Sequence, residues 1–314
     1  YEFSDLDHPV KGNIGLRYIE WQVESEGGVL FPKNFAWDEQ GTAEMIKQYY
    51  PEAFAFANGA QGPRTTVKGD KYSKVLPSFN LSVSVHDDLI LRFAASKNIF
   101  FPTFANFQNY KKLASSRVYD FNAQPGELSV TSINFSGQTG NPHIKPEEAA
   151  GADVSLEWYM SDTSSLNFSL FRKDLKNIIR KRLYTENTLN PVPYNGGDNV
   201  QSVDFQTDTN EGSGTISGYE ISYTQFYDSL PGYWSGLGVS ANYTFIAQTD
   251  LNDEKAFGDG STGEGGRNSF RAFKNLDLPG YSTDVINLAL LYDKGKVAGR
   301  LAYNWRSDYL LTAR

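Results

Sequence analysis

The stretch Val75-Leu-Pro-Ser-Phe-Asn-Leu-Ser-Val-Ser-Val85, His86-Asp-Asp88, Leu89-Ile-Leu-Arg-Phe-Ala-Ala-Ser96 decides how the rest of the chain is read. In its first half, Phe79, Leu81, Val83 and Val85 fall on one face of an extended strand, and Ser78, Asn80, Ser82 and Ser84 on the other. Successive side chains of a strand point to opposite faces, so the segment shows oil to one environment and hydroxyls to another. Three polar residues then turn the chain into a second strand of the same length class.

The same alternation recurs along the chain. An earlier strand over about Asn13–Glu24 sets Ile14, Leu16 and Tyr18 against Gly15 and Arg17. Later ones set Val154, Leu156 and Trp158 against Asp153, Ser155 and Glu157, and Leu166, Phe168 and Leu170 against Asn167 and Ser169. Tyr219, Ile221 and Tyr223 oppose Glu220 and Ser222; Val239, Ala241, Tyr243 and Phe245 oppose Ser240, Asn242 and Thr244. Two final strands carry Ile286, Leu288, Leu290 and Tyr292, then Leu301 and Tyr303, giving nine candidate strands in all. Their connections alternate in length. Short ones fall near 86–88, 161–164, 227–235 and 293–296, and long ones span about 25–73, 100–147, 180–213 and 247–280. Long connections of this size far exceed the usual ~4–6 residues. Sorting loops by length, one end short and the other long, is the pattern of an all-β, antiparallel transmembrane β-barrel with short periplasmic turns and long extracellular loops. A soluble sheet with one solvated face shares the alternation but leaves the loop asymmetry unexplained.

Composition agrees with a barrel. Of 314 residues 39% are hydrophobic and 14% aromatic, with 19 Tyr and 21 Phe. A wall with a wet interior needs apolar residues on one strand face only, and its interface girdles need aromatic rings. Trp158 and Tyr292, next to short turns, read as such anchors. The absence of cysteine excludes disulfides and thiolate metal sites, and a net charge of −8 argues against a nucleic-acid partner. No run is long and apolar enough for a transmembrane helix, which leaves a barrel untouched. Nine strands is an odd count and the chain stops at Leu310-Leu-Thr-Ala-Arg314, so the expectation is a section of a larger barrel, without its closing strands and without a leader.

In order along the chain, several segments resemble the barrel region of TonB-dependent outer-membrane receptors. The likeness is to the branch common in Xanthomonas- and Caulobacter-like bacteria and often tied to carbohydrate uptake. They include Gly12-Asn-Ile-Gly-Leu-Arg-Tyr18, Leu91-Arg-Phe-Ala-Ala-Ser96, Gly140-Asn-Pro-His-Ile-Lys-Pro146, Leu170-Phe-Arg-Lys-Asp174 and Leu278-Pro-Gly-Tyr-Ser282. The resemblance implies a barrel of about 22 strands closed by a plug domain, of which residues 1–314 supply part of one wall. It also implies a Gram-negative outer-membrane location and energy drawn from the TonB–ExbB–ExbD complex through the plug. Where the family often places Arg before Pro after the third strand, this chain reads Ile99-Phe-Phe-Pro102.

Catalysis finds little footing. His8, His86 and His143 have no metal-ligand spacing, and Gly258-Asp-Gly-Ser-Thr-Gly263 follows no βαβ strand, so no enzyme is expected. The acidic loop Asp250-Leu-Asn-Asp-Glu254 with Asp259 offers hard oxygens to Ca²⁺, but it lacks the EF-hand glycine position, and a solvated loop is the preferred reading. The basic cluster Arg172, Lys176, Arg180 and Arg182 crowns the fifth strand, where cations would meet lipopolysaccharide phosphates. Ligand capture is assigned to loop aromatics and amides: Trp37, Phe101, Phe104, Tyr110 and Tyr194, with Asn106, Gln108 and Asp198. Rings pack on the C–H faces of sugars, and amides and carboxylates match their hydroxyls. The expected function is import of an oligosaccharide. A ferric-siderophore receptor is the alternative, followed by a passive porin or a secreted β carbohydrate-binding protein.

Overall fold

The computed structural model describes residues 2–3, 8–32, 42–58, 62–120, 122, 130–190, 199–253 and 277–311. Strands β1 (Glu2–Phe3) and β2 (Val10–Trp21) open the chain. A long connection follows, containing β3 (Glu24–Gly27), β4 (Val29–Leu30), α1 (Thr42–Tyr49), α2 (Pro51–Ala57) and β5 (Thr65–Lys68). The opening hairpin is β6 (Tyr72–His86) and β7 (Leu89–Phe100). A second long connection holds β8 (Lys111–Tyr119) and β9 (Val130–Thr139). Then come β10 (Glu147–Ser161), β11 (Ser164–Asn190), β12 (Asn199–Phe226), β13 (Leu237–Asp253), β14 (Asp284–Lys294) and β15 (Val297–Arg306).

The nine expected strands form one antiparallel wall in the order β2-β6-β7-β10-β11-β12-β13-β14-β15. Its short turns lie at one end: Asp87-Asp88, Asp162-Thr163, a 3-10 turn over Gly232–Gly236, and Gly295-Lys296. Gly295 has φ +65°, the left-handed backbone that a two-residue hairpin turn demands.

Register makes the alternation continuous across the wall. Val10, Val83, Leu91, Leu156, Phe168, Ile221, Tyr243, Ile286 and Trp305 form a single row of cross-strand partners, one from each strand. The adjoining row on the opposite face includes Glu157, Asn167, Ser222, Asn242, Asn287 and Asn304. A one-residue slip anywhere would send a strand's apolar set to the polar side, so each face specifies the register of the whole. The apolar face is bare, with Ile14 79% and Leu16 77% exposed, as a lipid-facing surface must be. The polar face is concave: Lys11, Asn13, Asn80, Ser82 and Arg92 help line a hollow of about 530 Å³.

The main buried cluster lies outside the wall. The arm formed by the upper halves of β11 and β12 continues as a paired ladder out to Asn190 and Asn199. Residues 180–213, expected as a loop, are therefore mostly strand. β9 docks in parallel on the free edge of β12, from Val203 beside Phe135 to Gln206 beside Gln138. β8 pairs with β9, and β4 with β8. Against this extension of the sheet pack Ile46 of α1 and Ala53, Phe56 and Ala57 of α2, with Phe31, Leu113, Phe135, Val203 and Phe205. The first two long connections thus fold into an outer cap with its own core. Gly137 permits close packing in that core, because a Cβ at that position would lie 2.5 Å from the Phe205 ring.

Candidate functional site

The turn between β7 and β8 carries most of the expected ligand residues that fall within the described regions. Its backbone is tied from several sides. Asn106 donates from Nδ2 to Asp208 Oδ2 on the arm at 2.6 Å, and its carbonyl accepts the Asn141 N–H at 2.7 Å. The Thr103 hydroxyl donates to Asn106 Oδ1. Asn109 donates from its backbone to Ser25 Oγ at 2.8 Å and from Nδ2 to the Thr65 carbonyl at 2.8 Å. Phe107 is buried edge-on against Trp21, with ring centroids 4.8 Å apart, and Phe101 meets the other side of Trp21 at 5.1 Å. At the apex of this fixed turn stands Phe104, 89% exposed. Gln108 is exposed beside it, and Tyr110 is half-buried.

The expected residues therefore divide by role. Asn106 is spent on holding the turn, and Phe101 braces Trp21 while keeping part of its ring open. Phe104 and Gln108 remain available to an external ligand. Trp37, Tyr194 and Asp198 lie outside the described residues. So does most of the acidic 250–259 loop, of which Asp250 has φ +54° and Leu251 is buried. Among the described residues no group of three or more His, Asp or Glu side chains is placed to hold a metal.

Sequence reasoning missed what braces the turn. Trp21 sits at the upper end of β2, and Asp208 on the arm, where no local pattern points to either. Near Trp21, Tyr72 is buried and its hydroxyl donates to Glu148 Oε1 at 3.1 Å. Farther out on the cap, Lys111 Nζ reaches Glu186 at 2.7 Å and lies 5.0 Å from the centre of the Phe205 ring.

The basic cluster of β11 is not one patch. Arg172 and Lys176 lie on the apolar-bearing face, in phase with Leu166, Phe168 and Leu170. Asn177 then adopts φ +58° and turns the alternation over, so that Ile178 packs with Phe171, Leu175 and Ile216 instead of following Lys176. Beyond this point Arg182 is held by Glu211 at 2.8 Å. At about 3.3 Å per residue, Arg182 stands roughly 40 Å of strand beyond Leu170, on the outer arm with Arg180.

The inner face offers a chain of amides and hydroxyls. Asn242 donates to Glu220 Oε1 at 2.6 Å and accepts from Asn287 at 3.3 Å, while Asn80 donates to Asn13 at 2.8 Å. Its charges are partnered where Arg92 meets Glu157 at 2.9 Å.

Among solved structures, the chain is similar to a mutant ferric enterobactin receptor of Pseudomonas aeruginosa in complex with enterobactin. That match has 15% identity and a TM-score of 0.50, covering 96% of this chain and 39% of that one. It is also similar to the siderophore receptor PirA of Acinetobacter baumannii, at 14% identity and TM-score 0.47, covering 94% and 39%. A third match is the hemophore receptor HasR of Serratia marcescens, at 12% identity and TM-score 0.46, covering 96% and 41%. The chain spans between 29% and 41% of the length of the solved receptors it matches. At these identities the first match supports the fold alone. No curated protein sequence matches the chain. The family model described as TonB dependent receptor-like, beta-barrel matches residues 2–313, and the chain belongs to that family.

Proposed function

We infer that this chain forms part of the wall and outer cap of a Gram-negative outer-membrane receptor that captures an external nutrient and passes it inward. In this reading a plug fills the lumen and the TonB–ExbB–ExbD complex supplies the energy, so the chain contributes recognition and conduit and no bond chemistry. The favoured ligand is an oligosaccharide. The observation that carries it is Phe104, a nearly fully exposed ring on a turn locked by Asn106, Asn109, Phe107 and Trp21. A rigid, exposed ring costs little ordering entropy on binding and suits a sugar's C–H face. The inner row of Asn167, Ser222, Asn242, Asn287 and Asn304 continues that neutral hydrogen-bonding character down the wall.

A ferric siderophore is the second reading. It is favoured by Lys11 and Arg92 beside the inner hollow, where cations suit an anionic chelate. Equilibrium binding of defined oligosaccharides and ferric siderophores to the purified receptor, as wild type and Phe104→Ala, separates the two. The expected result is oligosaccharide binding weakened about 3- to 10-fold by Phe104→Ala, the worth of one aromatic contact. Ferric-chelate binding with no oligosaccharide binding would replace the first reading by the second.

A further inference from the structure

The lipid-facing surface ends upward in a compact group of cations that the transport reading does not use. Counting along the apolar face from the row Leu89, Trp158, Leu166 and Tyr223, the first charge is Arg172, six residues higher beside Ala152 and Ser217, and the next row holds Lys97, Ala150, Asp174 and Thr215. Arg172 and Lys176 flank Asp174 on the same face, and Lys97 lies in its row two strands away. Two strands are roughly 10 Å, which long side chains can bridge. Lys97, Arg172 and Lys176 are all exposed, and directly below them stand Phe93, Val154 and Leu170.

Two carboxylates border the group, and both are engaged. Asp174 Oδ1 accepts from Arg172 at 3.0 Å and from Thr215 Oγ1 at 2.8 Å, which fixes the guanidinium on the outer surface. Glu148, opposite Lys176, accepts from Tyr72 and Asn177 and meets Lys74 at 3.0 Å. Cations at this height therefore exceed the anions, with a continuous aliphatic surface immediately beneath.

We propose that Lys97, Arg172 and Lys176 form a binding site for a phosphorylated glycolipid headgroup of the outer leaflet. The acyl chains lie along Phe93, Val154 and Leu170, and the phosphate is held above them. Charge and position together select the occupant: phosphate oxygens satisfy ammonium and guanidinium donors at the headgroup level, and a soluble anion would gain nothing from the apolar rows. The same reasoning excludes Arg180 and Arg182, which stand far above that level.

The test uses the receptor purified in detergent, with lipid A as probe. Native mass spectrometry would count bound lipid A on wild type, on the triple variant Lys97→Ala/Arg172→Ala/Lys176→Ala, and on a comparator neutralised on the arm, Lys181→Ala. Heat-modifiable gel mobility reports that each barrel is folded, and Lys97→Arg/Lys176→Arg keeps charge should the alanine triple fail to fold. Expected are an at least tenfold loss of lipid A affinity in the triple, about the worth of one charge-assisted contact, and no change in the comparator or the arginine variant. Equal retention by folded wild type and triple overturns the site. So does equal binding of dephosphorylated lipid A. Displacement of lipid A by inorganic phosphate at equimolar concentration would make it a free-anion site and overturn the lipid assignment.

Discussion

The wall and the outer cap solve the burial problem in opposite ways. In the cap, Ile46, Phe56, Val203 and Phe205 are fully buried against one another, as in a water-soluble domain. In the wall, the largest apolar side chains stand exposed on one continuous face, and the opposite face is hydroxyl and amide. The cap carries its core inside the protein. The wall is completed by lipid, which supplies what a second layer would supply in water. The long hairpin β11–β12 runs through both, its lower half in the wall and its upper half beneath the cap.

The comparison breaks most sharply in the cap. Phe205 stacks on Tyr184 with centroids 5.6 Å apart and is fully enclosed, so Phe205→Ala should cost the cap about 3–5 kcal/mol. Limited proteolysis would register this as new cleavage within 25–73 and 100–147, while heat-modifiable mobility of the barrel stays unchanged. Simultaneous loss of both would mean that cap and wall unfold as one unit. In the wall, an inward apolar-to-polar change has no analogue. Instead, Ile221→Lys on the outer row should destabilise the inserted barrel by about 1–2 kcal/mol, less than a midplane lysine facing lipid because it lies two residues from the Trp158 row. Urea unfolding from lipid vesicles measures it. An unshifted midpoint would show that Ile221 does not face the acyl chains.

The wall was legible in the sequence because period-2 alternation is local: each of the nine strands declares its two faces in a few residues, and the turn Asp293-Lys-Gly-Lys296 declares its own geometry. Face matching excludes odd slips, and the short turns select among the even registers the one that sets Leu156 beside Leu91 and Phe168. The cap was not legible. Its core joins Phe31, Phe56, Phe135 and Phe205, residues far apart in the chain whose neighbours show no common period. Residues 180–213 read as loop because their alternation is brief, Val203 and Phe205 between Asp204 and Gln206, within polar runs such as Thr207-Asp-Thr-Asn-Glu211. The candidate site was half visible. An aromatic-rich turn named Phe101, Phe104 and Asn106, but the bond from Asn106 to Asp208 spans 102 positions, and nothing nearby signals it. Asn177 illustrates the remaining kind of miss, because one left-handed residue hands Ile178 to the opposite face and splits a run of cations that counting alone would group.

A gentler probe of the same contrast is alkaline pH. Tyr184 belongs to the cap, well beyond the lipid band, and burial raises its phenol above the ordinary value, with the Glu186 carboxylate adding to the shift. A group whose folded value lies above its unfolded value stabilises the fold fully below the unfolded value, about 10 for tyrosine. That contribution is lost as pH rises through the folded value, because the unfolded chain ionises first. The part of the loss that Tyr184 causes should be removed by Tyr184→Phe, which keeps the ring on Phe205 but has nothing to ionise. Tyrosinate absorbance of wild type minus Tyr184→Phe should titrate above the ordinary range, and the cap's thermal melt should fall more steeply above pH ~10 in wild type than in the variant. A difference spectrum that titrates at or below the ordinary value would mean that water reaches the phenol, and that the cap's enclosed core stops short of Tyr184.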